Sequence, residues 1–231
     1  MNRINKRSKN EHGELSTDLS AYYSQAYSNI ASSGAFGLAS KIQHRQLEKF
    51  TSTGSGSKGK FLEVGEGQGQ HIDFVDPQSW SEYIQTDLRP PEIINPGKGK
   101  WITTPVDAAN LPFEDQSFDR LIATCVLAHT DDPAVTLKEW RRVIRPGGVI
   151  SIYIPTESSL ALTLARHLGP KKARVRAGFD PTIIFLDHRY NYRYLRTVVD
   201  IEFSQNAREI HRFPRFLPWW MSLWEIIQVR L

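Results

Sequence analysis

One stretch constrains this chain more than any other: Phe61-Leu-Glu-Val-Gly-Glu-Gly-Gln-Gly-Gln-His71, an apolar run that passes straight into a turn with glycine at every second position. A short apolar run bounded by turn residues reads as a strand buried on both faces, the kind found in parallel sheets covered by helices. In such open sheets ligands bind beyond the carboxyl ends of the strands, where glycine lets the backbone approach a guest closely. The chain after Lys60 keeps to that plan. Strand-like runs at Phe61–Val64, Glu82–Thr86, Trp101–Val106, Phe118–Cys125 and Val149–Ile154 are followed by two more, Arg208–Phe213 and Trp224–Leu231. Between the fourth and fifth lies a helix from about Pro133 to Ile144, with Leu137, Trp140, Val143 and Ile144 on one face. Arg145-Pro-Gly-Gly148 is placed to stop it and turn the chain back. The expected class is α/β: a doubly wound sheet of seven strands, mostly parallel, with an antiparallel C-terminal strand.

The flanking segments fill in the rest. Two helical pieces, Leu15–Ile30 and Phe36–Phe50, are joined by the small residues Ala31–Ala35, and Thr51–Gly59 has the composition of a flexible connector. Further helices are expected near Ser158–Leu168 and Tyr192–Ile201. Residues 1–14 are polar and basic and read as a disordered tail rather than a secretory signal, which leaves 15–231 as a single domain. Cys125 is the one cysteine, so a reducing, cytoplasmic setting is expected. No apolar run approaches the roughly 20 residues that span a bilayer. The net charge of +4 is spread along most of the chain and gives no reason to expect nucleic acid. Its one local excess, Lys171, Lys172, Arg174 and Arg176, reads as a solvated loop.

The ligand is narrowed by the turn itself. A dinucleotide fingerprint is G-x-G-x-x-G, whereas here the glycines are Gly65, Gly67 and Gly69, with Gln70 in the last position. Glu63 and Glu66 flank the turn, and carboxylates there repel a pyrophosphate but suit a guest carrying an ammonium and a sulfonium. At the end of the second strand, Asp87 with Leu88 provides two acceptor oxygens for the hydroxyls of a ribose. After the third run, Asp107 and Ala108 offer a carboxylate for an adenine amino group and backbone for the ring nitrogens.

Together, Glu63–Gly69, Asp107-Ala108…Leu111-Pro-Phe113…Asp115-Gln-Ser-Phe-Asp119 and Arg145–Gly148 resemble the class I S-adenosylmethionine-dependent methyltransferases, in their large type 11 branch. The resemblance is firm from about Leu15 to Pro155. It implies a Rossmann-like fold and S-adenosyl-L-methionine as cofactor. It further implies that Glu63 and Gly65 hold the methionine part, that Asp87 takes the ribose, and that Asp107 with Ala108 takes the adenine. The end of the fourth strand, Cys125 to His129, then faces the methionine carboxylate and the acceptor.

Methyl transfer asks mainly for alignment and exclusion of water. A hydroxyl acceptor must also lose its proton, for which His129 and His188 are the candidates. His71 reads as a helix-start residue, and Cys125 as an inert core thiol. No metal is expected, because no His, Cys and Asp residues stand at ligand spacing. The aromatic ending Phe213–Met221 with Trp224 packs over the sheet edge or, with Arg215 and the Lys171–Arg176 segment, touches a membrane surface. The favoured reading is O-methylation of a small-molecule or glycan-type acceptor. Its rivals are C- or N-methylation of a quinone-like ring and a cofactor-binding partner protein without catalysis. The sequence is silent on oligomeric state.

Overall fold

The computed structural model describes residues 15–27, 29–30, 34–49, 58–67, 69–90, 99–157, 159–168 and 170–231. The expected tail at 1–14, most of the joint at 31–35 and most of the connector at 51–59 lie outside them. The elements, in order, are helix α1 (Leu19–Tyr22), a π turn (Tyr23–Tyr27), α2 (Gly34–Lys49), β1 (Gly59–Val64), a 3-10 turn (His71–Phe74), β2 (Trp80–Thr86) and β3 (Lys100–Trp101). There follow β4 (Phe118–Thr124), a 3-10 turn (Leu127–His129), α3 (Pro133–Val143), β5 (Ile144–Pro155), α4 (Leu160–Leu168), α5 (Pro170–Arg176) and α6 (Ile184–Asp187). The chain ends with α7 (Tyr192–Glu202), β6 (Ala207–Phe213), a 3-10 turn (Trp219–Met221) and β7 (Trp224–Arg230).

The strands form one seven-stranded sheet in the order β3-β2-β1-β4-β5-β7-β6. β1 to β5 run parallel, and β7 lies antiparallel to both β5 and β6. The order reverses between β1 and β4, whose residues Val64 and Ala123 pair at their carboxyl ends. That reversal opens a crevice above the sheet, the place where such folds hold their ligands.

Successive side chains on a strand point to opposite faces, and the two cores follow that alternation. Leu62, Leu121 and Ile227 join Leu137, Trp140 and Val143 of α3 and Leu195 and Val199 of α7 on one face. Phe61, Ile122 and Ile226 join Leu47 of α2 on the other, with Ala39 and Ile42 packed alongside. α3 starts where Asp132 accepts hydrogen bonds from the Ala134 and Val135 amides at 2.8 and 3.2 Å, with Pro133 in its first turn. A third, smaller cluster joins the N-terminal segment to the stretch after α5: Tyr22, Ala26 and Ile30 pack on Phe179, Ile183 and Ile184. Ser16 bridges to Phe179, and Arg174 donates to the Tyr22 hydroxyl at 3.1 Å. This cluster forms a cap distinct from the two sheet cores.

Several expectations need correcting. The third strand covers only Lys100–Trp101, not Trp101–Val106. The β1-to-β2 connection carries a 3-10 turn where a full helix is usual for a doubly wound sheet. Helix α3 does stop just ahead of Arg145–Gly148, but Ile144 already pairs with Phe118, so those four residues loop out within β5 rather than lead into it. The basic run at Lys171–Arg176 is not a loop: it is helix α5, in which Arg174 is buried. Among the described residues, no helix is long and apolar enough to cross a membrane.

Candidate functional site

The turn after β1 is shaped by three glycines in the left-handed region, Gly65, Gly67 and Gly69, at φ of +64°, +65° and +70°. At Gly65 the backbone angle is reinforced by contact, since a Cβ there would lie 2.5 Å from Cγ2 of Val126. At Gly67 a Cβ would meet nothing within 4 Å, so the turn's outer side is open. The turn is tied to its neighbours through Asp87. Its Oδ2 accepts from the Gly67 amide at 2.8 Å and its Oδ1 from the Arg89 amide at 2.7 Å. A carboxylate has about four lone-pair sites, so both oxygens keep capacity for a further donor.

The Asp87 carbonyl in turn accepts from the Val106 amide at 2.9 Å, which brings the Asp107 loop alongside. Asp107 is exposed and accepts from the Ala109 amide at 2.9 Å, while the Ala108 carbonyl accepts from the buried Trp140 indole at 3.0 Å. The three segments singled out in the sequence therefore lie side by side at the crevice. Leu88, by contrast, projects into solvent.

The electrostatic argument from Glu63 and Glu66 needs revision. Both are buried, and the Tyr83 hydroxyl donates to Glu63. Burial and the neighbouring Glu63 push the Glu66 carboxyl well above the usual carboxylate range. Asp87 is the acidic group of the turn that stays half-exposed, since Glu63 and Glu66 are both enclosed. His71 is likewise turned inward. Its Nδ1 meets His44 Nδ1 at 2.8 Å and its Nε2 meets Glu48 at 2.9 Å, and Glu48 receives both terminal nitrogens of the buried Arg120, at 2.9 and 2.8 Å. Arg120 continues to Ser151 at 3.0 Å, and Ser151 to Gln228 at 2.6 Å. This polar chain clamps α2 to the sheet. Burial, then His71, pushes the His44 imidazole down to about 3. Glu48 sits at about 2, because Arg120 and His71 outweigh the burial that would raise it.

Beside the turn, across Val126, the other half of the crevice is built from residues far apart in sequence. Cys125 ends β4 with φ of +63°, a strained conformation for a residue with a Cβ, and its thiol is half-buried rather than part of the core. His129 Nδ1 meets Asp187 Oδ2 at 3.0 Å, and the same oxygen accepts from the Tyr23 hydroxyl at 2.8 Å. His188 Nδ1 meets Glu157 Oε1 at 2.5 Å, as does Arg166. The two imidazoles cross edge to face, with centroids 4.6 Å apart. The sequence candidates His129 and His188 are thus brought together, and Cys125 joins them.

Burial disfavours the His129 imidazolium, yet the hydrogen bond to Asp187 and the adjacent Cys125 hold its pKa up at about 9. Asp187 falls to about 2, chiefly through its bond to His129. Arg89, two residues past Asp87, lies over the Tyr23 ring at 4.5 Å and 3.9 Å from Asp187, linking the two halves of the crevice. Sequence reasoning missed Tyr23, Glu157 and Arg166. Only the aspartate preceding His188 could have pointed to a braced imidazole.

With this geometry in view, relatives can be compared. Residues 62–152 match the family model described as a methyltransferase domain. A demethylmenaquinone methyltransferase from Staphylococcus haemolyticus is 52% identical over 44 residues, which is 19% of this chain and 18% of that protein. The match therefore spans under a fifth of the length of that curated relative. Among solved structures, a Thermotoga maritima S-adenosylmethionine-dependent methyltransferase, described as a possible histamine N-methyltransferase, aligns at a TM-score of 0.55 and 18% identity, over 82% of this chain and 88% of that one. A complex of a Haloferax volcanii methyltransferase activator with its putative methyltransferase aligns at 0.59 and 13%, over 91% and 96%. At those identities the structural matches speak for the fold.

Proposed function

We propose that this chain is a class I S-adenosylmethionine-dependent methyltransferase that moves the methyl group onto a hydroxyl oxygen of a small polar or glycan-type acceptor. The observation that carries the reading is the pair of carboxylate-braced imidazoles, His129 with Asp187 and His188 with Glu157, converging beside the glycine turn. On the donor side we assign the ribose to Asp87, the methionine part to the turn at Glu63–Gly69 with the Cys125 backbone, and the adenine to Asp107 and Ala108. On the acceptor side we assign His129 and His188 to hold the oxygen, with His188 as the group that takes its proton, since Asp187 holds His129 in its protonated form. The oxygen lone pair then forms a bond to the methyl carbon, the carbon–sulfur pair returns to sulfur, and S-adenosylhomocysteine leaves. Carbon and nitrogen acceptors have less need of two charged braces.

The test uses the full chain with methyl-labelled donor and a panel of sugars, phenols and demethylated naphthoquinols. Label is expected in ether products. His188→Ala is expected to abolish its transfer while the calorimetric Kd for S-adenosylhomocysteine stays within about 3-fold, as for a residue outside the donor site. Label on ring carbon, undiminished by His188→Ala, would support the rival reading.

That rival has its own observation. The short stretch similar to a demethylmenaquinone methyltransferase accompanies an exposed apolar rim, Leu160, Leu164, Trp220 and Met221, on neighbouring elements beside basic α5. Such a rim suits a lipid-soluble ring or a membrane surface. A third reading, cofactor binding without catalysis, expects S-adenosylhomocysteine to bind with no label transferred to any acceptor.

A further inference from the structure

Three side chains of metal-ligating type meet at the carboxyl end of β4, although their spacing in the sequence gives no hint of it. We propose that Cys125, His129 and His188 bind a single zinc-class divalent ion beside the methyl donor. The Cys125 thiol and one ring nitrogen of each imidazole lie within 4.8 Å of one another, all on half-buried residues. A tetrahedral zinc ion with bonds of about 2.0–2.3 Å sets such donors about 3.3–3.6 Å apart. The donors here are within about an ångström of that spacing, a gap that rotation of the three side chains would have to close.

Proximity alone would be weak support, but three independent features point the same way. A ligating imidazole commonly gives its second ring nitrogen to a carboxylate, which fixes the tautomer and aims the free nitrogen at the ion. Here both rings do so through Nδ1, His129 to Asp187 at 3.0 Å and His188 to Glu157 at 2.5 Å, leaving Nε2 of each for an ion. The backbone of Cys125 is held at φ +63°, a strained conformation that ends β4 beside the two rings. Charge is the third. Asp187 and Glu157 stand behind the two rings and are offset by Arg89 and Arg166, so protons lost from the thiol and rings on metal binding would leave one net negative charge to set against the divalent ion.

One thiolate and two imidazoles form a donor set that suits zinc, and three protein ligands leave the fourth position open, as in catalytic rather than structural sites. The acceptor's hydroxyl oxygen takes that position. Bound there it gives its proton to solvent, and its lone pair then attacks the methyl carbon as the carbon–sulfur pair returns to sulfur. This deepens the function proposed above and rests on it, since the acceptor oxygen is the fourth ligand; the two imidazoles then act on that oxygen through the ion.

The test is made on the chelator-treated full chain with Co²⁺ as an optical probe and Zn²⁺ as competitor, with no acceptor present. One equivalent of Co²⁺ is expected to give tetrahedral visible bands and a thiolate-to-metal absorption that Zn²⁺ displaces. Cys125→Ser should remove the thiolate absorption. His188→Ala, which leaves the strained backbone alone, should weaken binding by more than ~100-fold, and Asp187→Asn by ~10–100-fold. Absence of saturable uptake, or a thiolate band unchanged in Cys125→Ser, overturns the proposal. The two readings fail separately. Saturable cobalt binding in a protein that methylates no hydroxyl keeps the metal site and removes the acceptor assignment. Hydroxyl methylation undiminished by chelator, with no cobalt uptake, does the reverse.

Discussion

If the ribose rests on Asp87, its two oxygens have a double duty that can be taken apart by substitution. Each already accepts one backbone amide, from Gly67 at 2.8 Å and Arg89 at 2.7 Å, and each has room for one ribose hydroxyl. A hydrogen bond to a charged group contributes about 1.5–3 kcal/mol, so two contribute about 3–6 kcal/mol, or two to four orders of magnitude in Kd. Asp87→Ala is therefore expected to weaken S-adenosylhomocysteine by that factor in calorimetry. Asp87→Asn is not a mild change. Its amide keeps one acceptor oxygen but turns a donor toward a backbone N–H, so one ribose bond is lost and one amide is left unsatisfied. About 10–150-fold is expected for it from the lost bond alone. A 2′,3′-dideoxy analogue of the ligand separates the two duties, because it cannot use the ribose bonds. Wild type and Asp87→Ala should differ for it only by the loosened turn. An Asp87→Ala protein that folds and binds S-adenosylhomocysteine within about 5-fold of wild type would refute the assignment.

Three further outcomes follow from the same geometry. Gly65→Ala combines the left-handed angle, costing about 1–2 kcal/mol, with a Cβ placed 2.5 Å from Val126 Cγ2; ligand affinity should fall ~10-fold or more, and Val126→Ala in the same chain should recover part of it. Arg120→Met strands the Glu48 carboxylate at about 3–5 kcal/mol, which lowers Tm by roughly 6–20 °C, and adding Glu48→Leu should restore most of that loss. Acid should destabilise the fold from below pH 6.5. His44 is held down at about 3 and Glu48 at about 2, so the unfolded chain takes up protons that the fold refuses. Their stabilisation is complete above the unfolded pKa values and is lost as pH falls. For His44 alone, moving from pH 6.5 to 5 costs about 2 kcal/mol, and His44→Phe should flatten that part of the urea-midpoint profile.

The half of the crevice proposed for the donor was legible because each of its parts is local. Gly65 to Gly69 and Asp87 lie where a strand ends, Asp107 lies in the loop after β3, and such places are marked by their own neighbours in sequence. Where local signals competed, the reading slipped. β3 was read through to Val106, since Ile102, Thr103 and Thr104 favour strands, but only Lys100 and Trp101 pair with β2, and Pro105 has no amide to give a ladder. The run Lys171–Arg176 looked solvated because charge dominates its composition. Pro170 at its start and the buried Arg174, bonded to Tyr22, show a helix held by tertiary contacts. Glu66 was read as a charged lining residue because sequence carries no burial. Nor could it reveal that Cys125 takes a positive φ, which depends on the packing around the end of β4.

The half of the crevice proposed for the acceptor is assembled by the cap, and that makes its contribution separable from donor binding. The N-terminal segment and the stretch from α5 to His188 hold each other through Ser16 with Phe179, Arg174 with Tyr22 and Tyr23 with Asp187, and Asp187 passes that order on to His129 beside the ring contact from His188. Tyr23→Phe tests the linkage cleanly. The ring that Arg89 covers at 4.5 Å is kept, so the bridge toward the Asp87 loop persists, and only the hydroxyl on Asp187 is removed. One hydroxyl donor to a carboxylate contributes about 1.5–3 kcal/mol, equivalent to about 10–150-fold in rate if it steadies His129 during transfer. Turnover should fall by that factor while the Kd of S-adenosylhomocysteine holds. Equal losses in both would mean that the cap organises the donor crevice as well, and the division of labour between strand ends and cap would have to be abandoned.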